Sequence, residues 1–182
     1  MSVKILGGCY KGSKIAVPPK GTRPTAVLLR RRYFDSVQDL SGRLFVDLCA
    51  GSGAMGFEAV SRGACAVHFI DEGRQQVSYL KKNIDSLGIS NGSAFVHRSD
   101  AIKWLKQNIN IFSKDAIIFF DPPYDDKSLY LAFVNLIPES RKCEVVIELS
   151  SKTSFYNEVL SLVSCHQSKL VTQGEKIFLR LI

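Results

Sequence analysis

Asp47, Gly51, Ser52, Gly53 and Gly56 fall within ten residues of this 182-residue chain, and Asp71 follows twenty positions beyond Gly51. A Gly-x-Gly-x-x-Gly run after an apolar segment turns the chain sharply and lets a ligand approach the backbone. An acidic side chain at that distance can accept both hydroxyls of a ribose. Taken alone, the spacing also satisfies the fingerprint of a dinucleotide. Asp47 discriminates between the two. A carboxylate at the mouth of the turn repels a pyrophosphate, whereas it attracts an α-ammonium and a sulfonium, the cationic groups of S-adenosylmethionine. The acidic-x-x-x-Gly-x-Gly form therefore favours that cofactor over NAD.

The second cluster is Asp121-Pro122-Pro123-Tyr124, directly after the apolar run that ends at Phe119 and Phe120. Two prolines stop a β-ladder and fix φ, so the Asp121 carboxylate and the carbonyls of Asp121 and Pro122 stay at the sheet edge as a rigid array of acceptors. The exocyclic amino group of a nucleobase is a poor nucleophile, because its lone pair is delocalised into the ring. Two acceptors gripping its hydrogens draw the nitrogen toward tetrahedral geometry and free the lone pair for in-line attack on a sulfonium methyl. Tyr124 can stack on the base.

Both clusters need strands to hold them. Leu44–Leu48, Ala66–Ile70, Ala94–Val96, Ala116–Phe120 and Val145–Leu149 are short apolar runs suited to strands buried on both faces. Helical stretches alternate with them: Val77, Leu80, Ile84 and Leu87 make one face, closed by Gly88 at C′. Ahead of this rhythm, Val3–Leu6 and Ile15–Val17 predict a hairpin, and Pro24 to about Leu40 predicts a helix with Thr25 as N-cap. That helix carries Arg30, Arg31 and Arg32 in succession, so at least one of them points away from its apolar stripe. At the other end, Leu162–Ser164 and Ile177–Ile182, separated by a turn over 172–176, predict a closing hairpin. The inferred fold is a doubly wound α/β sheet, whose ligands sit at the carboxyl ends of its strands.

Composition narrows the class. At 46% apolar residues the chain is no disordered polymer, and no apolar run approaches the roughly 18–20 residues that span a bilayer. Cys9, Cys49, Cys65, Cys143 and Cys165 are odd in number and never form a CxxC pair. Neither a disulfide framework nor a zinc site is suggested, and a reducing cytoplasm is the expected setting, with no secretory signal. The net charge of +7 lies wholly in residues 1–43, which hold nine basic and two acidic side chains. A basic arm on a neutral body suggests that the arm meets a polyanion.

Asp47–Gly53 with Asp71 resembles the first two motifs of the class I S-adenosylmethionine-dependent methyltransferases, and Asp121–Tyr124 is similar to the (D/N)PP(Y/F) motif of their amino-methylating members. More narrowly, Val3–Gly8, Lys11–Lys14, Arg23–Thr25, Asp47–Gly56 with Glu58 and Ser61–Gly63, and Asp121–Tyr124 occur in the order of the RsmD family. Members of that family methylate the guanine 2-amino group in bacterial 16S ribosomal RNA. The resemblance implies a mostly parallel, seven-stranded Rossmann-like sheet over 44–182 and an RNA-binding hairpin and helix extension over 1–43. It implies that Asp47, Gly51, Ser52 and Gly53 line the methionine end of the cofactor, that Asp71 holds its ribose, and that Asp100 and Ala101 meet its adenine. Asp121, Pro122 and Tyr124 would be catalytic, and Lys11, Lys14, Arg23, Arg30 and Arg31 would grip phosphates. Val27 and Arg31 stand where the family usually has acidic residues, and Gly73 where it often has Asp.

The expectation is a monomeric, cytoplasmic enzyme acting on 16S rRNA or a small-subunit assembly intermediate. It needs no metal, since acceptor and leaving thioether are both neutral. A DNA adenine amino-methyltransferase, an NAD-linked oxidoreductase and a non-catalytic RNA-binding module remain as rivals. Cys49, Trp104 and Glu148 read as structural.

Overall fold

A computed structural model describes residues 1–19, 26–37, 39–108, 112, 115–137 and 143–182. Five strands run in parallel: β3 (Leu44–Leu48), β4 (Ala66–Asp71), β5 (Ala94–Arg98), β6 (Ile117–Phe120) and β7 (Glu144–Ser150). The hairpin β8 (Ser168–Gln173) and β9 (Lys176–Leu181) completes the sheet, with β9 antiparallel to both β7 and β8. The order is β5-β4-β3-β6-β7-β9-β8. From β3 the chain moves first to one side, through β4 and β5, and then returns to the other side at β6. The carboxyl ends of β3 and β6 therefore flank the switch point, where a doubly wound sheet opens a crevice. Asp47 lies in β3, and Asp121 follows β6 directly.

Helices α2 (Ala54–Ser61) and α3 (Arg74–Leu87) cover one face of the sheet, while α4 (Ala101–Asn108), α5 (Lys127–Val134) and α6 (Tyr156–Leu162) cover the other. Alternate strand residues feed the two cores: Phe45, Phe69, Phe119 and Val146 enter one, and Val46, Ile70, Phe120 and Ile147 the other. Every residue of α2 is buried, which requires a layer outside it. The N-terminal hairpin, β1 (Ser2–Lys4) and β2 (Lys14–Ala16), is part of that layer, together with α1 (Val27–Val37). Val3, Ile5, Ile15 and Val17 enter the same core as Phe57 and Phe69. Polar bonds fasten the layer. Leu6 N–H donates to Glu58 at 2.8 Å, Tyr10 N–H to Ser61 Oγ at 2.9 Å, and Asn83 exchanges two hydrogen bonds with the Ala16 backbone. Residues 1–37 are thus a third layer of the body wherever they are described.

Several expectations change. The first helix spans Val27–Val37; Arg23 and the N-cap assigned to Thr25 lie outside the described residues. Arg30 was expected on phosphate, yet it is 1% exposed. It donates to the Lys4 carbonyl at 2.7 Å and lies 4.0 Å from the fully buried Glu58. It occupies the inner face of α1 with Leu29, Tyr33 and Phe34, and Arg31 takes the outer face. Leu162–Ser164 is no strand. Tyr156, Val159, Leu160 and Val163 recur at helical spacing, so this segment is α6 and its C-cap. The edge strand is Ser168–Gln173, whose side chains are mostly exposed and so show little apolar alternation. No helix among the described residues is long and apolar enough to cross a membrane.

Candidate active site

The turn after β3 carries the first cluster. Cys49, Gly51 and Gly53 all have positive φ, at 61°, 55° and 75°. Gly53 has a second reason to be glycine, because a Cβ there would come within 2.5 Å of Leu80 and 2.7 Å of Phe57. Gly56 serves packing rather than the ligand: a Cβ would lie 2.2 Å from the Phe69 ring, so its absence lets α2 settle on β4. Asp47 is 2% exposed, and its Oδ2 accepts the Gly56 N–H at 2.9 Å, in the first turn of α2. Burial pushes this carboxyl up to about 8; the Gly56 bond opposes that rise, and Asp71 and Glu148 add to it.

Asp71 ties two turns together. Its Oδ2 accepts the Gly51 N–H and its Oδ1 the Gly73 N–H, each at 2.8 Å, which leaves both oxygens with lone pairs toward the cleft. Burial raises its pKa against those two bonds. Gly73 now has a local reason: a Cβ there would lie 2.1 Å from Gln76 Oε1 and 3.0 Å from Asp71 Oδ1. Asp100 precedes α4 and accepts the Lys103 N–H at 2.7 Å, beside Ala101. The carboxylates of Asp71 and Asp100 thus stand at the ends of β4 and β5, on the cleft side of the sheet.

At the end of β6, the Asp121 N–H still donates to the Leu48 carbonyl at 3.3 Å, which anchors the second cluster beside the first. Among the described residues, no backbone N–H donates to the carbonyls of Asp121 or Pro122. Burial raises the Asp121 carboxyl well above its ordinary range, and Glu148 and Asp47 push it further. Tyr124 donates its hydroxyl to Glu148 Oε1 at 2.5 Å, while Lys176 Nζ sits 5.4 Å from the Tyr124 ring centroid and 3.4 Å from the same Glu148 oxygen. One face of the ring is thereby occupied by an ammonium, and the ring is held by its hydroxyl.

Of the residues expected on cofactor and base, Asp47, Gly51, Ser52, Asp71, Asp100, Ala101, Asp121, Pro122 and Tyr124 line one cleft of about 1190 Å³ together with Glu148 and Lys176, whereas Gly53 does not line it and serves the turn and its packing on Leu80 and Phe57. Its described walls carry Asp47, Asp71, Glu72, Asp100, Asp121, Asp125, Asp126 and Glu148 against a single basic side chain, Lys176. Such a lining attracts cations and hydrogen-bond donors and repels a pyrophosphate. Cys49 also faces the cleft, but burial and the surrounding carboxylates push its thiol up, which keeps it protonated and a poor nucleophile. Trp104 packs in the core against His68 and His97. Of the basic residues expected on phosphate, Lys11, Lys14 and Arg31 are exposed. Arg32 spends one N–H on the Thr172 carbonyl, and Arg43 pairs with Glu144 at 3.0 Å.

Glu148 and Lys176 were missed by sequence reasoning. Glu148 read as structural, yet it lines the cleft at 1% exposure. Its signal was present: an acidic residue inside the apolar run Val145–Leu149, near the carboxyl end of a buried strand. Lys176 had no comparable signal, since it reaches the cleft only because β9 pairs with β7.

A family described as Conserved hypothetical protein 95 matches residues 3–178. The chain is 36% identical over 126 residues to the Ribosomal RNA small subunit methyltransferase D of Buchnera aphidicola subsp. Baizongia pistaciae, an alignment covering 68% of this chain and 62% of that one. The chain thus spans less than two thirds of that relative's length. The solved structure of the yhhF protein of Escherichia coli superposes with a TM-score of 0.74 at 25% identity, covering 100% of this chain and 98% of that one. A SAM-dependent methyltransferase from Agrobacterium tumefaciens shares the fold at 17% identity and a TM-score of 0.63, covering 88% of this chain and 63% of that one.

Proposed function

The chain belongs to the Conserved hypothetical protein 95 family, the RsmD family, and from that premise we propose that it methylates the 2-amino group of a guanine in 16S ribosomal RNA with S-adenosylmethionine. The observation that carries the reading is the cleft itself, where eight acidic side chains and the backbone acceptors of Asp121-Pro122 converge at the switch point, with one basic side chain among the described walls. That lining fits a cationic cofactor beside an amine-bearing base, and it is the wrong sign for NAD.

When bound, S-adenosylmethionine supplies an electrophilic methyl group on a sulfonium and leaves as a neutral thioether. Asp47 lies where its charge favours the cationic methionine end, held against α2 by the Gly56 N–H. Asp71, with lone pairs left on both oxygens, would hold the ribose, and Asp100 with Ala101 would meet the adenine. The carboxylate and carbonyl of Asp121 and the Pro122 carbonyl accept the amino hydrogens of the base and turn its nitrogen lone pair toward the methyl group. After attack, the amine nitrogen carries a positive charge; Asp121, which must receive the base in its ionised form, takes the proton it releases, and its raised pKa makes it the stronger base for that step. The free face of the Tyr124 ring stacks on the base.

The base must leave its stack to reach this cleft, at a cost of a few kcal/mol that is lowest in a loop. The N-terminal layer offsets that cost by holding phosphates. Among the described residues its exposed cations are Lys4, Lys11, Lys14, Arg31 and Arg32, the last with one N–H on the Thr172 carbonyl, and Arg23 lies in the sequence that follows the hairpin. The deciding experiment is mass spectrometry of 16S rRNA from cells with and without the gene. The reading expects one N2-methylguanine to vanish on deletion and to return with the wild-type gene. An unchanged rRNA, or loss of a methyl from any other base, overturns it.

A further inference from the structure

Glu148 carries an oxygen that the mechanism above leaves idle. In β7 its backbone lies between β6 and β9, and its side chain is 1% exposed. Oε1 is fully engaged, accepting the Tyr124 hydroxyl and lying 3.4 Å from the Lys176 ammonium. Oε2 is buried and has no hydrogen-bond partner among the described residues. The Asp121 carboxyl beside it can donate to Glu148 only while it keeps its proton; the mechanism above binds the base on ionised Asp121, and in that state no hydrogen of the described residues reaches Oε2. A buried carboxylate oxygen without a donor is costly, so the place suits a ligand that brings one.

We propose that Glu148 Oε2 accepts the N1–H of the target guanine and so makes Glu148 a specificity-determining residue. The proposal rests on the guanine reading above and deepens it. On the Watson–Crick edge of guanine, N1–H and the 2-amino group are adjacent donors. With the amino hydrogens on Asp121 and Pro122, the next donor along the edge meets the next acceptor along the sheet, since Phe120 pairs with Ile147 and the residues after them are Asp121 and Glu148. Adenine and cytosine each place a bare ring nitrogen beside their amino group. Bound the same way, that lone pair would face Oε2, and a buried acceptor would oppose an acceptor. A site built for a donor discriminates against such a base through the group left unpaired. The pairing of Lys176 and Tyr124 with Oε1 has a purpose here: it fixes which oxygen is free.

The test uses a small-subunit rRNA substrate with guanine or 2-aminopurine at the methylated position. 2-Aminopurine keeps the 2-amino group but presents N1 as an acceptor. The wild-type protein is expected to methylate 2-aminopurine with kcat/KM lower by roughly 10- to 100-fold. In Glu148→Gln the donors at Tyr124 and Lys176 hold the amide oxygen at the Oε1 position, which turns the Oε2 position into an N–H donor. The preference should then shrink or reverse, while S-adenosylhomocysteine affinity does not fall, because Glu148 is not expected to contact the cofactor and loss of its charge only eases the ionisation of Asp47. Equal use of both bases by the wild-type protein, or an undiminished guanine preference in Glu148→Gln, overturns the proposal. If the variant fails to fold, the wild-type comparison alone still decides. These outcomes are distinct from failure of the guanine reading, in which no N2-methylguanine forms on either substrate or in cells.

Discussion

Asp47 gives the sharpest prediction, because one buried carboxyl links cofactor affinity to pH in a direction opposite to its effect on stability. Its pKa is pushed up to about 8 in the free protein, so at pH 6 only ~1% of it is ionised. A cationic ligand needs the ionised form. The dissociation constant for S-adenosylmethionine should therefore fall close to tenfold per unit between pH 6 and pH 7.5, and binding at pH 7 should release about 0.9 proton. Isothermal titration in pairs of buffers with different protonation enthalpies reads both quantities. The ligand's own α-amino group titrates at about 8, so the diagnostic limb is the acidic one. Asp47→Asn should flatten that limb and abolish the proton release. The stability of the free protein runs the other way. Asp47 keeps its proton in the folded state and loses it on unfolding between about pH 4 and pH 8, where stability falls as pH rises, by at most ~1.4 kcal/mol per unit. Asp71 and Asp121 are shifted in the same direction and add to the slope. A dissociation constant that does not change from pH 6 to pH 7.5, with no proton released, would refute the electrostatic role given to Asp47.

Asp121→Ala should abolish methyl transfer to rRNA while S-adenosylhomocysteine binding by calorimetry stays nearly intact; retained turnover would remove Asp121 from the mechanism. Glu58→Ala should lower stability by about 3–5 kcal/mol in urea, since it strands the buried Arg30 cation and frees the Leu6 N–H. A change below about 0.5 kcal/mol would mean that the N-terminal layer is held by its apolar contacts alone. Replacing Lys11, Lys14 and Arg31 together by Ala should weaken RNA binding and make the slope of log K against log salt shallower by about 2, at roughly 0.7 per phosphate contact on single strands. The melting temperature should be unaffected, and an unchanged slope would show that these three side chains do not meet phosphate.

Most of the site was legible from the chain because its parts are local. Asp47 to Gly56, Asp71, Asp100 and Asp121 to Tyr124 each sit at the end of an apolar strand, and in a doubly wound sheet every such end faces the same crevice. Residue type and position along one segment therefore sufficed to group them. Arg30, Glu148 and Lys176 are different. Arg30 stands among three consecutive arginines, and the rotation of α1 against α2 decided that it, rather than Arg31, is buried on Glu58. Lys176 belongs to a hairpin whose edge strand is polar and exposed, so nothing in its neighbours marks it, and only the antiparallel pairing of β9 with β7 brings its ammonium to Glu148. Local periodicity and strand-end chemistry are properties of the sequence itself. Which side chains meet across strands far apart in the chain is set by register and packing, and there the tertiary structure alone joined Glu148, Lys176 and Tyr124 into one wall of the cleft.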